Sequence, residues 1–335
     1  MDNRINNSEI TETFGATAKI AVTERMPGGC VQKRKKKKKK REKASTIFFA
    51  TMIALPLLQF IIFYIVVNFN SIVLAFQKYS ISDTGYVLEF AGFENFTKIF
   101  HEWATTPWLS NLLPNSLRYF VLNVFVVMPL SLLFAYYIYK RMRMHGIYKV
   151  MLFLPSVICN MVIVMFYRDF VDWVIAPLFH VDTLWGGNGE GATIPLMILY
   201  IFLSFSGSIL LFLNAMSSIP ESTIEAAKID GASEFRTFIS VVLPSIWGTI
   251  VSLLILAFAD VAMGQANLYS VYGSSSPYSQ QTLGYYIFNL MATNQGNDVT
   301  MYPKAAAYGL LATAVIAPVT IIARKLLLKF GPSEE

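Results

Sequence analysis

The sequence is poor in charged residues for its length. Of its 335 residues only 14% are Asp, Glu, Lys or Arg, whereas 55% are hydrophobic. Soluble domains carry roughly 25% charged residues. A deficit of this size, together with long apolar runs, excludes a single large soluble core and predicts a chain that crosses the membrane several times.

Cysteine and histidine are also scarce. The two cysteines, Cys30 and Cys159, lie in a polar tail and in an apolar run, outside any metal or redox spacing. The three histidines lie in or near expected loops, so we expect no metal site, no catalytic cluster and no cofactor bound by this chain. A membrane enzyme is therefore the least favoured class. The chain also lacks a Gly-x-x-x-x-Gly-Lys-Ser/Thr phosphate loop, which argues against an ATPase site of that type.

The formal net charge of +6 is concentrated near the N-terminus. Residues 33–41 form an unbroken basic run within a polar tail, residues 1–46. We expect this tail to be disordered and cytoplasmic, and to act as a topology signal or to contact anionic membrane lipids. Nucleic-acid binding is disfavoured, because no aromatic residues are interleaved with the lysines and no binding fold accompanies them.

Hydropathy predicts about six membrane-spanning helices of about 20 residues, the length that crosses a bilayer. Their expected bounds are 47–69, 116–139, 150–166, 194–216, 246–268 and 305–323. The expected fold class is therefore all-α and polytopic, with a transmembrane domain at 47–330 and a short cytoplasmic end at 331–335. Placing both termini in the cytoplasm puts nearly all Lys and Arg residues inside, as the positive-inside rule requires.

A polar, helix-forming stretch, residues 217–244, separates the fourth and fifth predicted spans. Ser218 and Glu221 have the spacing of a capping box at the start of a short helix, and Gly231 provides its stop. Ser233 is placed to cap a second short helix, and Pro244 is expected to start the next span. The stretch is thus predicted to be two short helices with a break.

This stretch resembles the Glu-Ala-Ala loop of bacterial ABC importer permeases, in which Gly follows after three residues and Leu-Pro closes the pattern. The matching residues are Glu225, Ala226, Ala227, Asp230, Gly231, Ala232, Leu243 and Pro244. The Asp-Gly-Ala form is common in permeases for sugars, although Asp before Gly is also ordinary turn chemistry. The sequence departs from many sugar permeases after the fifth span, where Gly-Ser-Ser-Ser-Pro at 273–277 replaces Gly-Gly-Pro.

The resemblance, which extends over 47–330, implies the permease subunit of an ATP-driven importer in the bacterial plasma membrane. Carbohydrates, above all oligosaccharides, are the implied solutes. The implied partners are a second homologous permease forming a heterodimer, two ABC ATPase subunits that use ATP and Mg²⁺, and an extracellular or periplasmic solute-binding protein. In this family the loop is cytoplasmic and docks on the ATPase. Glu225 and Gly231 are then the central residues of the coupling loop, where we expect Glu225 to cap a helix or form a salt bridge.

Polar residues inside the apolar spans mark either a transport pathway or contacts between helices. Asp260, Gly264 and Asn267 recur at i, i+4 and i+7, the spacing of one helical face. Asn160 and Ser206 are further pathway candidates, although contact between helices is favoured for the serines. Neutral polar groups beside aromatic rings suit a polyhydroxylated solute. The rings available in the fourth span are Tyr200, Phe202 and Phe205.

Two other transporter classes stay open. An ABC permease for an amino acid, a peptide or a polyamine would carry a similar loop. An ion-coupled secondary transporter would instead show inverted repeats around an ion site, and no internal repeat is found. Transport that persists without any ATPase would favour the ion-coupled class.

Overall fold

The computed structural model describes residue 46 and residues 48–82, 85–185, 191–293, 299 and 301–332. The predicted cytoplasmic tail therefore lies almost wholly outside the described residues, as do residues 333–335. The chain divides into two units, Met1–Phe69 and Asn70–Glu335. The division into tail, transmembrane domain and C-terminal end stays a prediction.

Helices make up most of the described chain. The first six are α1 (Phe48–Ala75), α2 (Glu94–Thr105), α3 (Leu109–Tyr139), α4 (His145–Val157), α5 (Asn160–Leu178) and α6 (Thr193–Ser217). The others are α7 (Glu221–Ile229), α8 (Glu234–Ser245), α9 (Trp247–Met263), α10 (Leu268–Tyr272), α11 (Leu283–Ala292) and α12 (Met301–Phe330). Two antiparallel strands, β1 (Gln77–Ser82) and β2 (Gly85–Phe90), form a hairpin between α1 and α2.

Four of these helices, α1, α3, α6 and α12, are long and apolar enough to cross a bilayer. Two bent pairs, α4 with α5 and α8 with α9, each add a span if the pair crosses as a unit, so the described chain holds up to six spans. The predicted fold class, an all-α polytopic membrane protein, is confirmed. The predicted bounds of the third and fifth spans need correction.

The third predicted span, 150–166, is not one straight helix. Helices α4 and α5 meet at 102°, and Ile158 between them has extended backbone. Pro155 lies in the last turn of α4. Its ring has no N–H to donate and hinders the carbonyl one turn earlier, which favours a helix end here.

The fifth predicted span, 246–268, begins and ends differently from the prediction. Pro244 lies inside α8 rather than starting the span, and the chain bends by 69° between α8 and α9. Helix α9 ends at Met263, because Gly264 is extended and Asn267 adopts a left-handed conformation at φ 60°. The prediction that Asp260, Gly264 and Asn267 share one helical face is therefore wrong, since Asn267 is the N-cap of α10.

The polar segment after α1 contains structure that hydropathy does not predict. Asn95 of α2 is buried, and its Nδ2 donates to the carbonyl oxygens of Ala75 and Gln77 at 2.8 Å each. Hydrogen bonds from Lys98 and Lys78 hold the pKa of the Glu94 carboxyl below its usual value. These contacts join the start of α2 to the hairpin.

One end of the second unit gathers most of the basic residues in the described part of the chain. The Trp247 Nε1 donates to the Leu327 carbonyl at 3.1 Å, which places the end of α12 beside the junction of α8 and α9. The turn between α3 and α4 lies at the same end, since it lines a cavity together with α7. The basic residues of these segments are Lys140, Arg141, Arg143, Lys149, Lys228, Arg236, Arg324, Lys325 and Lys329.

Gly284 lies where α11 crosses the end of α9. A Cβ at this position would lie 2.5 Å from the carbonyl oxygen of Met263 and 2.7 Å from that of Gly264. We therefore expect Gly284→Ala to destabilise the protein by about 1–3 kcal/mol, measured as a lower thermal unfolding midpoint in detergent.

Gly309→Ala in α12 is the matched control, because a Cβ there would meet no atom within 4 Å. The Gly309 variant should unfold at the same temperature as wild type or slightly above it. Equal midpoints for the two variants would show that α11 and α9 are not packed backbone to backbone.

Candidate functional site

Within the Glu-Ala-Ala pattern, residues 227–232 build the C-terminal cap of α7, whereas Leu243 and Pro244 lie in α8. The Gly231 N–H donates to the Lys228 carbonyl and the Ala232 N–H donates to the Ala227 carbonyl, both at 3.0 Å. These two bonds form a Schellman cap, which requires a left-handed residue, and Gly231 supplies it at φ 75°. The spacing of the pattern thus has a local physical reason, because glycine stands where the chain reverses.

The two predicted helix caps have different outcomes. Pro220 is the N-cap of α7, and the Ser218 Oγ donates to the Ala215 carbonyl at 2.7 Å. The predicted capping box of Ser218 with Glu221 is therefore wrong, because Ser218 still belongs to the end of α6. The cap at Ser233 is confirmed, since its Oγ accepts the N–H of Arg236 at 3.3 Å at the start of α8.

The segment formed by α7 and α8, which we call the α7–α8 loop, has a buried and an exposed side. Ile224, Phe238 and Val242 are buried in an apolar cluster with residues of α3 and α6. Ile229 and Phe235, by contrast, are 86% and 71% exposed. Exposed apolar side chains of this size, grouped at the turn between two short helices, are typical of an interaction site.

Glu225 lines a cavity of about 890 Å³ between the α7–α8 loop and the turn that joins α3 to α4. The acidic and basic residues around this cavity are Lys140, Arg141, His145, Lys149, Glu221, Glu225 and Lys228. The expected cap or salt bridge of Glu225 is not found among the residues that the structure describes. The Glu225 side chain is exposed.

A second and much smaller cavity lies where α3, α6 and α9 meet, in the half of the bundle away from the α7–α8 loop. Its volume is about 20 Å³, room for one water molecule. The Asn123 Nδ2 donates to the Tyr200 hydroxyl at 3.1 Å, and the rings of Tyr119 and Tyr200 are 5.0 Å apart. The lining residues are Ser116, Tyr119, Phe120, Asn123, Tyr200, Ala257, Asp260, Val261, Gly264, Ala266 and Thr282.

The predicted pathway residues fall into three places. Asp260 and Gly264 line the small cavity. Asn160 at the start of α5 donates through Nδ2 to the Asn267 Oδ1 at 2.9 Å. Ser206 is buried in α6, 2% exposed, and lines neither cavity.

Asn123 and Thr282 are candidates that the sequence predictions missed. Asn123 is a polar residue within the apolar run of α3, so the rule that selected Asp260 would also have selected it. Thr282 precedes α11, and its Oγ1 donates to the Gly264 carbonyl at 2.8 Å. No sequence pattern signals that contact, because it depends on how the loop after α9 folds back.

The Asp260 side chain is exposed at the edge of the small cavity. Within the described chain its carboxylate has no ion pair and no hydrogen bond from another side chain. A carboxylate on a membrane helix is costly where it faces lipid. This face of α9 is therefore suited to water or to another protein rather than to lipid.

A family model described as "Binding-protein-dependent transport system inner membrane component" matches residues 127–330. The matched range contains the α7–α8 loop, α9 and α12. It begins inside α3 at residue 127, after the four α3 residues that line the small cavity.

Curated relatives span different shares of the chain. The permease MsmF of the multiple sugar-binding transport system of Streptococcus mutans is 22% identical over 287 residues, covering 84% of this chain and 95% of MsmF. The arabinooligosaccharide permease AraP of Bacillus subtilis is 24% identical over 280 residues, covering 80% and 85%. The maltose/maltodextrin permease MalF of Escherichia coli is 23% identical over 177 residues, and the match covers 34% of its length.

A solved structure shares the fold. The crystal structure of a bacterial ABC transporter involved in the import of the acidic polysaccharide alginate has a chain that matches with a TM-score of 0.67. The match covers 87% of this chain and 98% of that chain, at 18% sequence identity. At this identity the likeness establishes the architecture and leaves the solute open.

Proposed function

Because the chain belongs to the family of binding-protein-dependent transport system inner membrane components, we propose that it is the permease subunit of an ATP-driven carbohydrate importer. The observation that carries the proposal is the family match over 127–330, which includes the capped α7–α8 loop. MsmF and AraP, which cover most of the chain, are permeases named for sugars and arabinooligosaccharides. Their names favour a sugar over an amino acid or peptide.

The α7–α8 loop is the proposed contact with a separate ATPase, which would use ATP and Mg²⁺ while this chain carries out no catalysis. The exposed side chains of Ile229 and Phe235 supply apolar anchors, and Glu225 supplies an open carboxylate. The basic end of the second unit contains this loop, so the positive-inside rule favours a cytoplasmic position for the loop. The cytoplasmic location of both termini is part of the same proposal.

The loop is joined directly to two membrane helices. Residues 218–220 alone separate α6 from α7, and Ile246 alone separates α8 from α9. A displacement of the loop by the ATPase therefore moves the inner ends of α6 and α9. The other end of α9 carries Asp260 beside the small cavity, so the same helix connects the proposed ATPase contact with the proposed solute pathway.

The small cavity is the proposed part of the solute pathway within this chain. Its hydroxyl, amide and carboxylate groups beside tyrosine rings are the groups that bind polyhydroxylated solutes. Its present volume of about 20 Å³ excludes a sugar, so passage requires α9 to move away from α3 and α6. The exposed carboxylate of Asp260 is then directed at the pathway shared with a second permease.

Reconstitution tests the proposal directly. The chain, its co-encoded permease and ATPase, and the solute-binding protein are placed in proteoliposomes with labelled oligosaccharides. We expect uptake that requires both ATP and the binding protein. Uptake driven by an ion gradient without the ATPase would support a secondary transporter, and ATP-driven uptake of amino acids or peptides alone would overturn the sugar assignment.

Asp260→Asn tests the pathway assignment. Removing the charge takes away a charge-assisted hydrogen bond to the solute, so we expect kcat/KM for uptake to fall by about tenfold. Binding of the ATPase should not change. Ser252→Ala on the same helix is the control, because the Ser252 hydroxyl donates to the Gly248 carbonyl of α9 itself. Equal uptake by the Asp260 variant and wild type would show that Asp260 does not contact the solute in the pathway.

A further inference from the structure

We propose that Lys140, Tyr136 and Glu234 form a joint that fixes the α7–α8 loop to the end of α3, so that α3 moves with the loop during transport. This role rests on the proposed function. It adds positioning residues that lie outside the Glu-Ala-Ala pattern.

Two donors from the end of α3 converge on one carboxylate of α8. The Lys140 Nζ lies 2.7 Å from the Glu234 Oε2, and the Tyr136 hydroxyl donates to the same oxygen at 3.0 Å. The Tyr136 hydroxyl also lies 3.2 Å from the Glu234 carbonyl oxygen. The joint therefore holds both the side chain and the backbone at the start of α8.

The burial of Lys140 makes this contact hard to replace. Its side chain is 11% exposed, whereas that of Glu234 is 56% exposed. Nζ lies within ion-pair distance of the Glu234 carboxylate and has no other ion pair or hydrogen bond in the described chain. A buried ammonium that loses its counter-charge is strongly disfavoured, so Lys140 holds Glu234 in place.

The position of the joint gives it a mechanical consequence. The small cavity has walls on α3, α6 and α9. Helices α6 and α9 are connected covalently to the α7–α8 loop, but α3 is not. Apart from apolar packing such as that of Tyr136 against Phe238, with ring centroids 4.8 Å apart, the joint is what ties α3 to the loop. Helix α3 also contacts α6, for example through Asn123 and Tyr200, and the joint adds a direct polar link from the loop to the α3 wall.

The test measures solute imported per ATP hydrolysed in the reconstituted importer. Glu234→Gln is the first variant, because an exposed side chain is replaced at nearly constant shape. We expect hydrolysis to continue while import per ATP falls by about 5-fold or more, the usual lower range of a coupling between sites. Lys140→Met should show a similar loss. The double variant should be no worse than either single variant, because both changes remove the same contact.

Lys304→Met is the matched control. It breaks another ion pair between two helices, with Lys304 Nζ 2.8 Å from the Glu102 Oε1, and it should leave import per ATP unchanged. An unchanged ratio for Glu234→Gln, or losses that add in the double variant, would overturn the joint while leaving the proposed function intact. Wild type that imports no sugar with ATP would overturn the proposed function, and the joint with it.

Discussion

Gly231→Pro is expected to reduce ATP-driven uptake to background while the chain remains in the membrane. Gly231 has φ 75°, whereas proline is restricted to φ near −65°. Proline would also remove the N–H that donates to the Lys228 carbonyl at 3.0 Å. The turn between α7 and α8 then cannot form, and the surface proposed to bind the ATPase is lost. Uptake by right-side-out vesicles loaded with ATP, normalised to the amount of chain in the membrane, measures the effect.

A graded series at Gly231 separates the backbone requirement from a requirement for space. A Cβ at Gly231 would meet no atom within 4 Å, so Gly231→Ala carries only the cost of a left-handed conformation, about 1–2 kcal/mol. Gly231→Asn should be milder, because asparagine tolerates that conformation. Uptake should therefore rise in the order Pro, Ala, Asn. Gly207→Ala in α6 is the control, since a Cβ there would also meet no atom within 4 Å.

Two results would contradict the proposed role of the Schellman cap at Gly231. If Gly231→Pro imports as much solute as wild type, the Schellman cap has no part in transport. If Gly231→Ala and Gly231→Pro fail to the same extent, the position requires the absence of a side chain rather than the left-handed backbone.

Replacing Ile229 and Phe235 by glutamate is expected to release the ATPase from the permease. Both side chains are mostly exposed, so the substitutions should leave the fold intact. Buried at an interface, each would act as an apolar anchor, and loss of an anchor costs about 2 kcal/mol or more, roughly a 30-fold loss of affinity. The amount of ATPase retained on affinity-purified permease gives the readout.

Phe93→Glu is the matched control for the two glutamate substitutions. Phe93 is 70% exposed and lies between β2 and α2, away from the basic end. It should retain the ATPase as wild type does. Retention of the ATPase by the Ile229 and Phe235 variants would show that the ATPase does not dock on the α7–α8 loop.

The sequence predicts those features that depend on local pattern. Hydropathy identifies the apolar helices, and the Glu-Ala-Ala spacing identifies the turn at Gly231. Neither shows the bend at Ile158 and Cys159, because extended backbone between two apolar helices does not change the hydropathy. Gly264 has the spacing of a helical face, yet its backbone ends the helix, as glycine often does.

Contacts between distant segments are the part that the sequence does not predict. Tyr136 and Glu234 are 98 residues apart, and no sequence pattern near either residue predicts that the two are in contact. The contact of Thr282 with Gly264 depends in the same way on a loop folding back over a helix end. Asn160 and Asn267 were each selected as polar residues, but only the structure brings them together.

Photo-cross-linking from position 229 tests the docking of the α7–α8 loop most directly. A photoreactive residue replaces Ile229 in the assembled importer, and a second preparation carries it in place of Phe93. After irradiation we expect a covalent product between the permease and the ATPase subunit from position 229 and none from position 93. A product from position 93, or no ATPase product from position 229 in an importer that transports, would contradict the assignment of this loop as the ATPase contact.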